Sequence, residues 1–230
     1  MASSPTDIRT LDIEGLKAAA VQLGQPAFRG KQIAEWLWTK GATRFEDMTN
    51  LPQAFRTSLA AEYLLAPIRA EEEQVSRDGT VKCAFPIETG KVVEGVLIPA
   101  KDRMTACISS QVGCSLSCAF CATGKLKLMR NLTAGEIVDQ VRHIAELAER
   151  HHDHRLTNIV YMGMGEPLLN YRNVLESVDL ITGTPGLGMS PKRITISTAG
   201  ISKMIRKLGD DEVRFNLALS LHAAQDEKRN

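Results

Sequence analysis

Three cysteines stand close together near the middle of the chain, at Cys114, Cys118 and Cys121. Their C-x3-C-x2-C spacing places three thiols in one short segment, and thiolates are soft ligands that suit zinc or iron–sulfur centres. A structural zinc site needs four ligands, and the nearest fourth thiol, Cys107, lies in a preceding predicted strand. Three ligands alone suit a four-iron cluster with one iron open to a substrate. The spacing favours the cluster and leaves a zinc knuckle as the alternative.

The composition is that of an ordinary folded protein. Of the 230 residues, 43% are hydrophobic and 24% are charged, a balance that excludes a disordered chain. A net charge of +1 excludes nucleic-acid binding through bulk charge alone, but not through local basic patches. Neither a long apolar run nor an apolar start in Met1–Thr10 is present, so we expect no membrane helix, no signal peptide and a cytoplasmic location. In that reducing compartment, metal binding or catalysis explains the cysteines better than a disulfide framework.

Hydrophobic periodicity divides the chain into three predicted segments. Residues 1–66 carry helical patterns and are predicted to form a small helical domain. Residues 67–102 switch to period two and are predicted to form a β-hairpin segment. In residues 103–230 strands alternate with helices, which predicts an α/β fold with a parallel sheet, either a barrel or doubly wound. The basic residues of the helical segment are either a solvated face or phosphate contacts: Arg29, Lys31, Lys40, Arg44 and Arg56.

One carboxylate of the hairpin segment is unusually placed. In the predicted strand Lys91–Ile98, Glu94 shares a face with Val92, Val96 and Ile98, because alternate residues of a strand point the same way. Glu94 either reaches water at the rim of the sheet or is desolvated among these aliphatic side chains, an environment that suits a general base. The strand pattern leaves both positions open.

Small polar residues lie on the later predicted strands. One face of the predicted strand Val213–His222 holds Asn216, Ser220 and His222, and the strand before it repeats the division with Ser197. Such a face suits a barrel lumen that holds a ligand, although an ordinary sheet with one solvated face would also explain it. The opposite face is predicted to pack against outer helices through Phe215, Leu217, Leu219 and Leu221.

A glycine-rich turn follows another predicted strand, at Gly163-Met164-Gly165-Glu166-Pro167. Glycines let backbone groups approach a ligand closely, and the Glu166 carboxylate suits hydrogen bonds from an ammonium group. Taken alone the turn is weak evidence for a site, since a turn without function would explain it equally well.

The cysteine spacing, with an aromatic residue before the last cysteine and a strand before the first, resembles the radical S-adenosylmethionine (SAM) superfamily. Further segments resemble the RlmN family within it, whose members methylate carbon 2 of adenine in 23S rRNA and tRNA. These segments are Arg29–Gln32, Cys107–Cys114, Arg130–Leu132, Gly163–Pro167, Ser197–Gly200 and Ser220–Ala223. The resemblance covers nearly the whole chain and implies a partial (β/α) barrel for residues 103–230.

The resemblance implies cofactors and site residues. A 4Fe–4S cluster would be held by Cys114, Cys118 and Cys121, with one iron left to bind the amino and carboxylate groups of SAM. Glu94 matches the family's proton acceptor, and Cys107 matches the cysteine that closes a disulfide to release the methylated base. The residues that match its SAM-binding positions are Gly165, Glu166, Ser197, Ser220, Leu221 and His222.

The resemblance also implies partners. These are 23S rRNA and tRNA, together with an electron donor such as flavodoxin, and no membrane. Lys125, Lys127 and Arg130 follow the cysteine loop and are candidate phosphate contacts, although a solvated basic loop is an equal explanation.

One feature departs from the family pattern. The family carries its methyl group on a cysteine near the C-terminus, beyond the fourth strand, and none of the five cysteines of this chain lies there. We therefore expect a C-terminally truncated enzyme that is inactive in methyl transfer by itself. The alternatives are another radical SAM enzyme, such as the type that methylates carbon 8 of adenine, and a zinc-bound RNA-binding module.

Overall fold

The computed structural model describes residues 5–87, 90–225 and 227. The chain folds as two compact units, each of which brings together two stretches of sequence. The first unit consists of Met1–Pro67 with Asp179–Met189, and the second of Ile68–Val178 with Ser190–Asn230. No helix in the described part of the chain is long and apolar enough to cross a membrane.

The first unit is built mainly from helices, as its periodicity predicts. They are α1 (Ile13–Gln22), α2 (Arg29–Glu35), which continues as a π-helical turn over Trp36–Lys40, and α3 (Gln53–Glu62). A short parallel pair of strands, β1 (Thr6–Asp7) and β2 (Tyr63–Leu64), joins the two ends of this stretch. The side chains in its core are at most 2% exposed: Ile8, Leu16, Ile33, Phe55 and Leu59.

Helices α1 and α2 lie close together because Gly30 has no side chain. A Cβ at Gly30 would lie 2.5 Å from the backbone nitrogen of Lys17, a distance that real Cβ atoms do not reach. The π-helical turn then ends at Gly41, whose φ of 68° is the left-handed conformation that favours glycine. Together the two glycines fix where α2 runs and where it stops.

The second unit is built around a seven-stranded mixed sheet. Along the chain its strands are β3 (Glu72–Val75), β4 (Val81–Ile87), β5 (Lys91–Ala100) and β6 (Arg103–Cys107), followed by β9 (Asn158–Tyr161), β10 (Ile194–Thr198) and β11 (Asn216–Leu219). A separate antiparallel pair consists of β7 (Gln111–Val112) and β8 (Arg130–Asn131). The helices are α4 (Ala134–His152), α6 (Ser202–Asp210) and α5 (Tyr171–Thr182), whose residues from Asp179 onward belong to the first unit.

The sheet has the strand order β11-β10-β9-β6-β5-β4-β3. Strands β6, β9, β10 and β11 run parallel, whereas β3 to β6 pair antiparallel. The predicted hairpin strands therefore extend the same sheet as the predicted barrel strands. The alternation of strands and helices predicted after residue 103 is confirmed.

Helix α4 covers one face of the sheet. Its N-terminus is a capping box: the Thr133 hydroxyl accepts the Glu136 N–H at 3.2 Å, and the Glu136 carboxylate accepts the Thr133 N–H at 2.8 Å. The apolar stripe of α4 is fully buried at Ile137, Val141, Ile144 and Leu147. The sheet residues Cys83, Phe85, Val93 and Leu97 are fully buried as well.

The other face of the sheet is open. Directly paired residues share a face, and the register places a row across six strands through Lys82, Val96, Cys107, Val160, Thr195 and Asn216. Glu94 and Ser197 lie on the same face, two residues along their strands from this row. All of these side chains are partly or largely exposed. The polar face predicted for Ser197 and Asn216 is confirmed.

The last strand is shorter than predicted. Strand β11 covers Asn216–Leu219 instead of Val213–His222, because a turn follows it in which Leu221 N–H donates to the Leu219 carbonyl and His222 takes a φ of 58°. The prediction that its apolar face packs against outer helices is wrong, since three leucines are 42%, 53% and 44% exposed: Leu217, Leu219 and Leu221.

Candidate functional site

A cavity of about 530 Å³ opens at the carboxyl ends of β9, β10 and β11. In sheets with parallel strands, this is the end at which ligands bind, and the volume suits a small molecule. The cavity brings together residues far apart in the chain, including all three clustered cysteines. The predicted site residues that line it are Cys114, Cys118, Cys121, Gly165, Glu166, Ser197, Ser220, Leu221 and His222.

The cysteine loop is anchored at Cys114. Its N–H donates to the Leu126 carbonyl at 3.2 Å, and its side chain is buried, with 9% exposed. The preceding Gly113 has a φ of 75°, and a Cβ there would lie 2.2 Å from the Lys127 carbonyl oxygen. Only glycine fits this crossing of two chain segments, so Gly113 sets the direction in which the loop leaves the sheet.

Two further turns bring Cys118 and Cys121 to the same cavity. Ser117 takes a φ of 48°, and the Cys121 N–H donates to the Cys118 carbonyl at 3.1 Å. Gly124 packs against this turn, because a Cβ at Gly124 would lie 2.7 Å from the Cys118 carbonyl oxygen. Both thiols are partly exposed, and both line the cavity wall.

The glycine turn after β9 packs directly on the loop that follows β6. A Cβ at Gly163 would lie 2.8 Å from the backbone of Ile108, and one at Gly165 would lie 2.5 Å from the Gln111 side chain. Gly165 also has a φ of 98°, which disfavours any other residue. Strand β6 therefore ends at Cys107, where the chain turns to meet these glycines.

Glu166 is buried at the bottom of the cavity, with 3% exposed. Its two carboxylate oxygens accept the backbone N–H groups of Leu168 at 3.0 Å and Ala199 at 2.8 Å, and its own N–H donates to the Gln111 side chain at 2.8 Å. Glu166 therefore ties together the segments after β9 and β10. Each carboxylate oxygen retains a second lone pair that can accept a hydrogen bond from an ammonium group. That predicted contact stays a prediction.

A buried serine links the glycine turn to β5 and α4. The Ser109 hydroxyl donates to the Glu94 carbonyl at 2.6 Å and accepts the Met164 N–H at 2.8 Å. The Gln140 side chain accepts the Ser109 N–H and donates to the Ser109 carbonyl. Because these groups are buried and hydrogen-bonded, removal of one would leave another unpaired. Sequence reasoning missed this network, whose members lie on separate elements.

The mouth of the cavity carries side chains that a polar and aromatic ligand would meet. The Ser197 and Ser220 hydroxyls lie 3.0 Å apart. The His222 ring lies 4.4 Å from the ring of Phe120, the residue before the third cysteine, which is 71% exposed. The aromatic residue in the cysteine segment was the only sequence signal for this pair.

Comparison with known proteins decides to which family this site belongs. Residues 108–230, just over half of the chain, match the radical SAM superfamily model. The chain belongs to the radical SAM superfamily. Residues 6–65 match the ribosomal RNA large subunit methyltransferase N-terminal domain. The resemblance read from the cysteine spacing is confirmed.

Individual relatives agree with this assignment. The chain is 58% identical over 223 residues to a probable dual-specificity RNA methyltransferase RlmN from Cytophaga hutchinsonii, covering 97% of this chain and 61% of that protein. It is 44% identical to the dual-specificity RNA methyltransferase RlmN from Anaeromyxobacter sp., covering 97% and 60%. It is similar to the crystal structure of a radical SAM methyltransferase from Sphaerobacter thermophilus, with a TM-score of 0.88, 39% identity, and coverage of 98% and 66%. The chain thus spans about six tenths of the length of its curated relatives.

Membership of the radical SAM superfamily implies a 4Fe–4S cluster and SAM. Among the described residues, no three metal-ligating side chains gather tightly enough to hold a single ion. In a four-iron cluster of this kind, each of three irons binds one thiolate. The three thiols must therefore line one cavity, but they need not meet at a single point. Cys114, Cys118 and Cys121 provide three soft donors on one cavity wall, and the donor set and cavity fit the cluster.

Glu94 and Cys107 lie on the open face of the radical SAM sheet. The Glu94 carboxylate forms an ion pair with Lys82 at 2.6 Å and is 48% exposed, so of the two positions left open, the structure favours the one that reaches water. Burial raises the pKa of the Cys107 thiol. All five cysteines are free thiols, and the disulfide role of Cys107 stays a prediction.

Arg130, one of the candidate phosphate contacts, forms an ion pair with Glu136 at the start of α4. Its guanidinium donates to both carboxylate oxygens of Glu136, at 2.8 and 2.6 Å. Burial alone would raise the pKa of Glu136, but hydrogen bonds from Arg130 and Thr133 outweigh it and lower that pKa. Arg130 therefore helps to fix the start of α4, and phosphate contacts by Lys125, Lys127 and Arg130 stay a prediction.

Proposed function

We propose that this chain performs the radical SAM chemistry of an RlmN-type enzyme, which methylates carbon 2 of adenine in 23S rRNA and tRNA. The cavity that brings the three cysteines to the carboxyl ends of β9, β10 and β11 carries the proposal. The match of the first unit to the N-terminal domain of rRNA methyltransferases supports RNA as the substrate. The relatives are named dual-specificity RNA methyltransferases, which supports an RNA substrate and more than one target.

In this proposal, Cys114, Cys118 and Cys121 bind three irons of the cluster through their thiolates. When bound, the cluster supplies the electron that splits the SAM sulfonium and yields a 5′-deoxyadenosyl radical. Gly165 and Glu166 line the cavity at the place proposed for the methionine part of SAM, and Glu166 holds this part of the lining in place through its backbone hydrogen bonds.

The polar residues at the mouth position the rest of SAM. Ser197 and Ser220 offer hydroxyl groups that can donate or accept, and His222 presents its ring beside Phe120. Leu221 lies between Ser220 and His222 and also lines the cavity, and its main chain is proposed to contact SAM. These residues bind and orient SAM so that the bond to be broken faces the cysteine loop.

Glu94 and Cys107 act on the RNA base in this proposal. Both lie on the open face of the sheet, where Glu94 would accept the proton from carbon 2 of the adenine. The Cys107 thiolate would attack the sulfur of the family's methyl-carrying cysteine, which none of the five cysteines of this chain matches. An S–S bond would form as the C–S bond to the base breaks, and the released carbon would take up a proton. The target adenine must be unpaired to reach this face, because enzymes that modify bases take them out of the stack. An electron donor such as flavodoxin and a cytoplasmic location complete the proposal.

The test incubates the chain anaerobically with SAM, a reductant and an RNA that contains the proposed adenine. The expected result is 5′-deoxyadenosine and methionine from SAM, measured by mass spectrometry. Because none of the five cysteines matches the methyl-carrying one, this chain alone is expected to cleave SAM without methylating the RNA. A longer chain that carries that cysteine is expected to yield 2-methyladenosine, identified after nuclease digestion. An 8-methyladenosine product would assign the chain to the carbon-8 type instead, and a failure to cleave SAM would contradict the proposal.

A further inference from the structure

The exposed side of helix α2 carries two aromatic rings, each with a cation beside it. The Arg29 guanidinium lies 5.1 Å from the centre of the Phe28 ring, and the Lys40 ammonium lies 4.2 Å from that of Trp36. Residues 28, 32, 36 and 40 are one turn apart, so these side chains form one stripe along α2 and its π-helical turn. We call Phe28, Arg29, Gln32, Trp36 and Lys40 the aromatic–cation stripe.

The stripe is held in place by hydrogen bonds. Arg29 donates to the Gln32 side chain at 2.7 Å and to the Asn50 carbonyl at 3.3 Å. The Trp36 indole N–H donates to the Asn50 side chain. These bonds restrict the rotamers of Arg29 and Trp36 before any partner binds, which lowers the entropy lost on binding.

The exposure of the stripe is unusual for aromatic side chains. Phe28 is 54% exposed, in a chain of which only 5% is aromatic, and Trp36 is partly exposed. The next residues on the helix, Leu37 and Trp38, are buried in the unit. The core of the first unit therefore does not bury the ring of Phe28, and it leaves Trp36 partly exposed.

The charge of the stripe favours an anionic partner. Among the described residues, Arg29 forms no ion pair: its Nη1 donates to two neutral oxygens, and its buried Nε has no hydrogen-bond partner. Lys40 pairs with Glu35 at 3.0 Å, but both side chains are more than one-third exposed. Such an exposed pair contributes little stability, so a phosphate can compete for Lys40.

We infer that the aromatic–cation stripe binds an unpaired stretch of RNA, with bases stacked on Phe28 and Trp36 and phosphates held by Arg29 and Lys40. This rests on the proposed function, which supplies RNA as the partner, and it adds the surface and the mode of contact. Single-stranded RNA offers free base faces for stacking, whereas bases in a duplex are already stacked on each other. The two rings are separated by about 12 Å along the helix, room for more than one nucleotide.

The test measures binding of the full chain to a labelled single-stranded RNA of about twelve nucleotides, by fluorescence anisotropy. Phe28→Ala is expected to raise the Kd by about fivefold or more, because it removes a stacking platform. Phe28→Tyr keeps the ring and is expected to bind like the unchanged chain. Val21→Ala, which shortens an exposed aliphatic side chain on α1, is the matched control and leaves the Kd unchanged.

Two further measurements separate stacking from charge. Lys40→Ala is expected to reduce the slope of log Kd against log salt by about 0.7, the value of one phosphate contact in a single strand. Lys17→Ala, on α1, is the control for Lys40→Ala and is expected to leave that slope unchanged. Bound RNA is also expected to shield Trp36 from acrylamide quenching, since the other tryptophan, Trp38, is only 6% exposed.

The outcomes distinguish this inference from the proposed function. If the chain binds RNA but Phe28→Ala and Lys40→Ala bind like their controls, the stripe is not the contact, while RNA remains the substrate. If the same strand binds equally well when annealed to its complement, with the same loss in Phe28→Ala, the inference of unpaired bases is wrong. If the unchanged chain binds no RNA, the inference fails, and so does the choice of RNA as substrate.

Discussion

Glu136 shows how one side chain can set the start of a helix and the pH dependence of stability. Its carboxylate accepts bonds from Arg130 and from the Thr133 N–H and hydroxyl. Glu136→Gln is expected to lower the free energy of unfolding by about 1–3 kcal/mol at neutral pH, the usual contribution of hydrogen bonds to a charged group. Urea denaturation measures the loss, and Glu149→Gln, on the exposed side of α4, is the control.

The same residue makes a prediction about pH. Because the folded pKa of Glu136 is lowered, its stabilisation is complete above the pKa of the unfolded carboxyl, about 4.3, and is lost as the pH falls through the folded pKa. The difference in unfolding free energy between the unchanged chain and Glu136→Gln should shrink on acidification. A difference that stays constant or grows would show that the ionised carboxylate is not what Arg130 binds.

The cysteines should differ sharply in reactivity. Burial raises the pKa of Cys83 to about 12 and also raises that of Cys107, so few thiolates form at neutral pH. We expect iodoacetamide to label Cys118 and Cys121 first when no cluster is bound, Cys107 slowly and faster with rising pH, and Cys83 only on unfolding. Peptide mass spectrometry gives the order. Early labelling of Cys83 would contradict its place in the core.

At the scale of elements, the close contact between the glycine turn and the loop after β6 shapes the cavity. Gly163→Ala puts a Cβ 2.8 Å from the Ile108 backbone, and we expect overpacking to cost about 1–3 kcal/mol and to weaken SAM binding. Gly209→Ala is the matched control, because its Cβ would meet open space within α6 and should be neutral or stabilising. Calorimetric titration with SAM would contradict the argument if both variants bound equally.

The elements also show how far the sequence could predict the structure. Local signals were sufficient for α4, since its capping box and apolar stripe lie in consecutive residues. They were insufficient for β11, where the alternation of polar and apolar residues runs on to His222 although the strand ends in a turn after Leu219. The Ser109–Gln140 bonds and the Arg130–Glu136 pair join separate segments, and no periodicity records which distant groups will meet. The cysteine trio was predictable because its ligands are close in sequence.

At the scale of the whole molecule, the residues proposed to bind SAM and those proposed to act on the RNA base lie on or beside the open face of one sheet. The row through Val96, Cys107 and Thr195 lies beside Glu94 and Ser197, and the cavity opens at the end of the same sheet. Residues from the predicted hairpin and barrel segments thus share one surface because their strands share one sheet. A substrate base placed on this face would be near both SAM and the groups proposed to act on it.

The central claim is that Cys114, Cys118 and Cys121 hold a 4Fe–4S cluster. The most direct test reconstitutes the chain without oxygen and measures iron, sulfide and zinc per chain. We expect about four iron and four sulfide, a large loss in Cys118→Ala, and no loss in Cys83→Ala, which removes a buried thiol from the sheet core instead. Zinc without iron, or an iron content that Cys118→Ala leaves unchanged, would contradict the account.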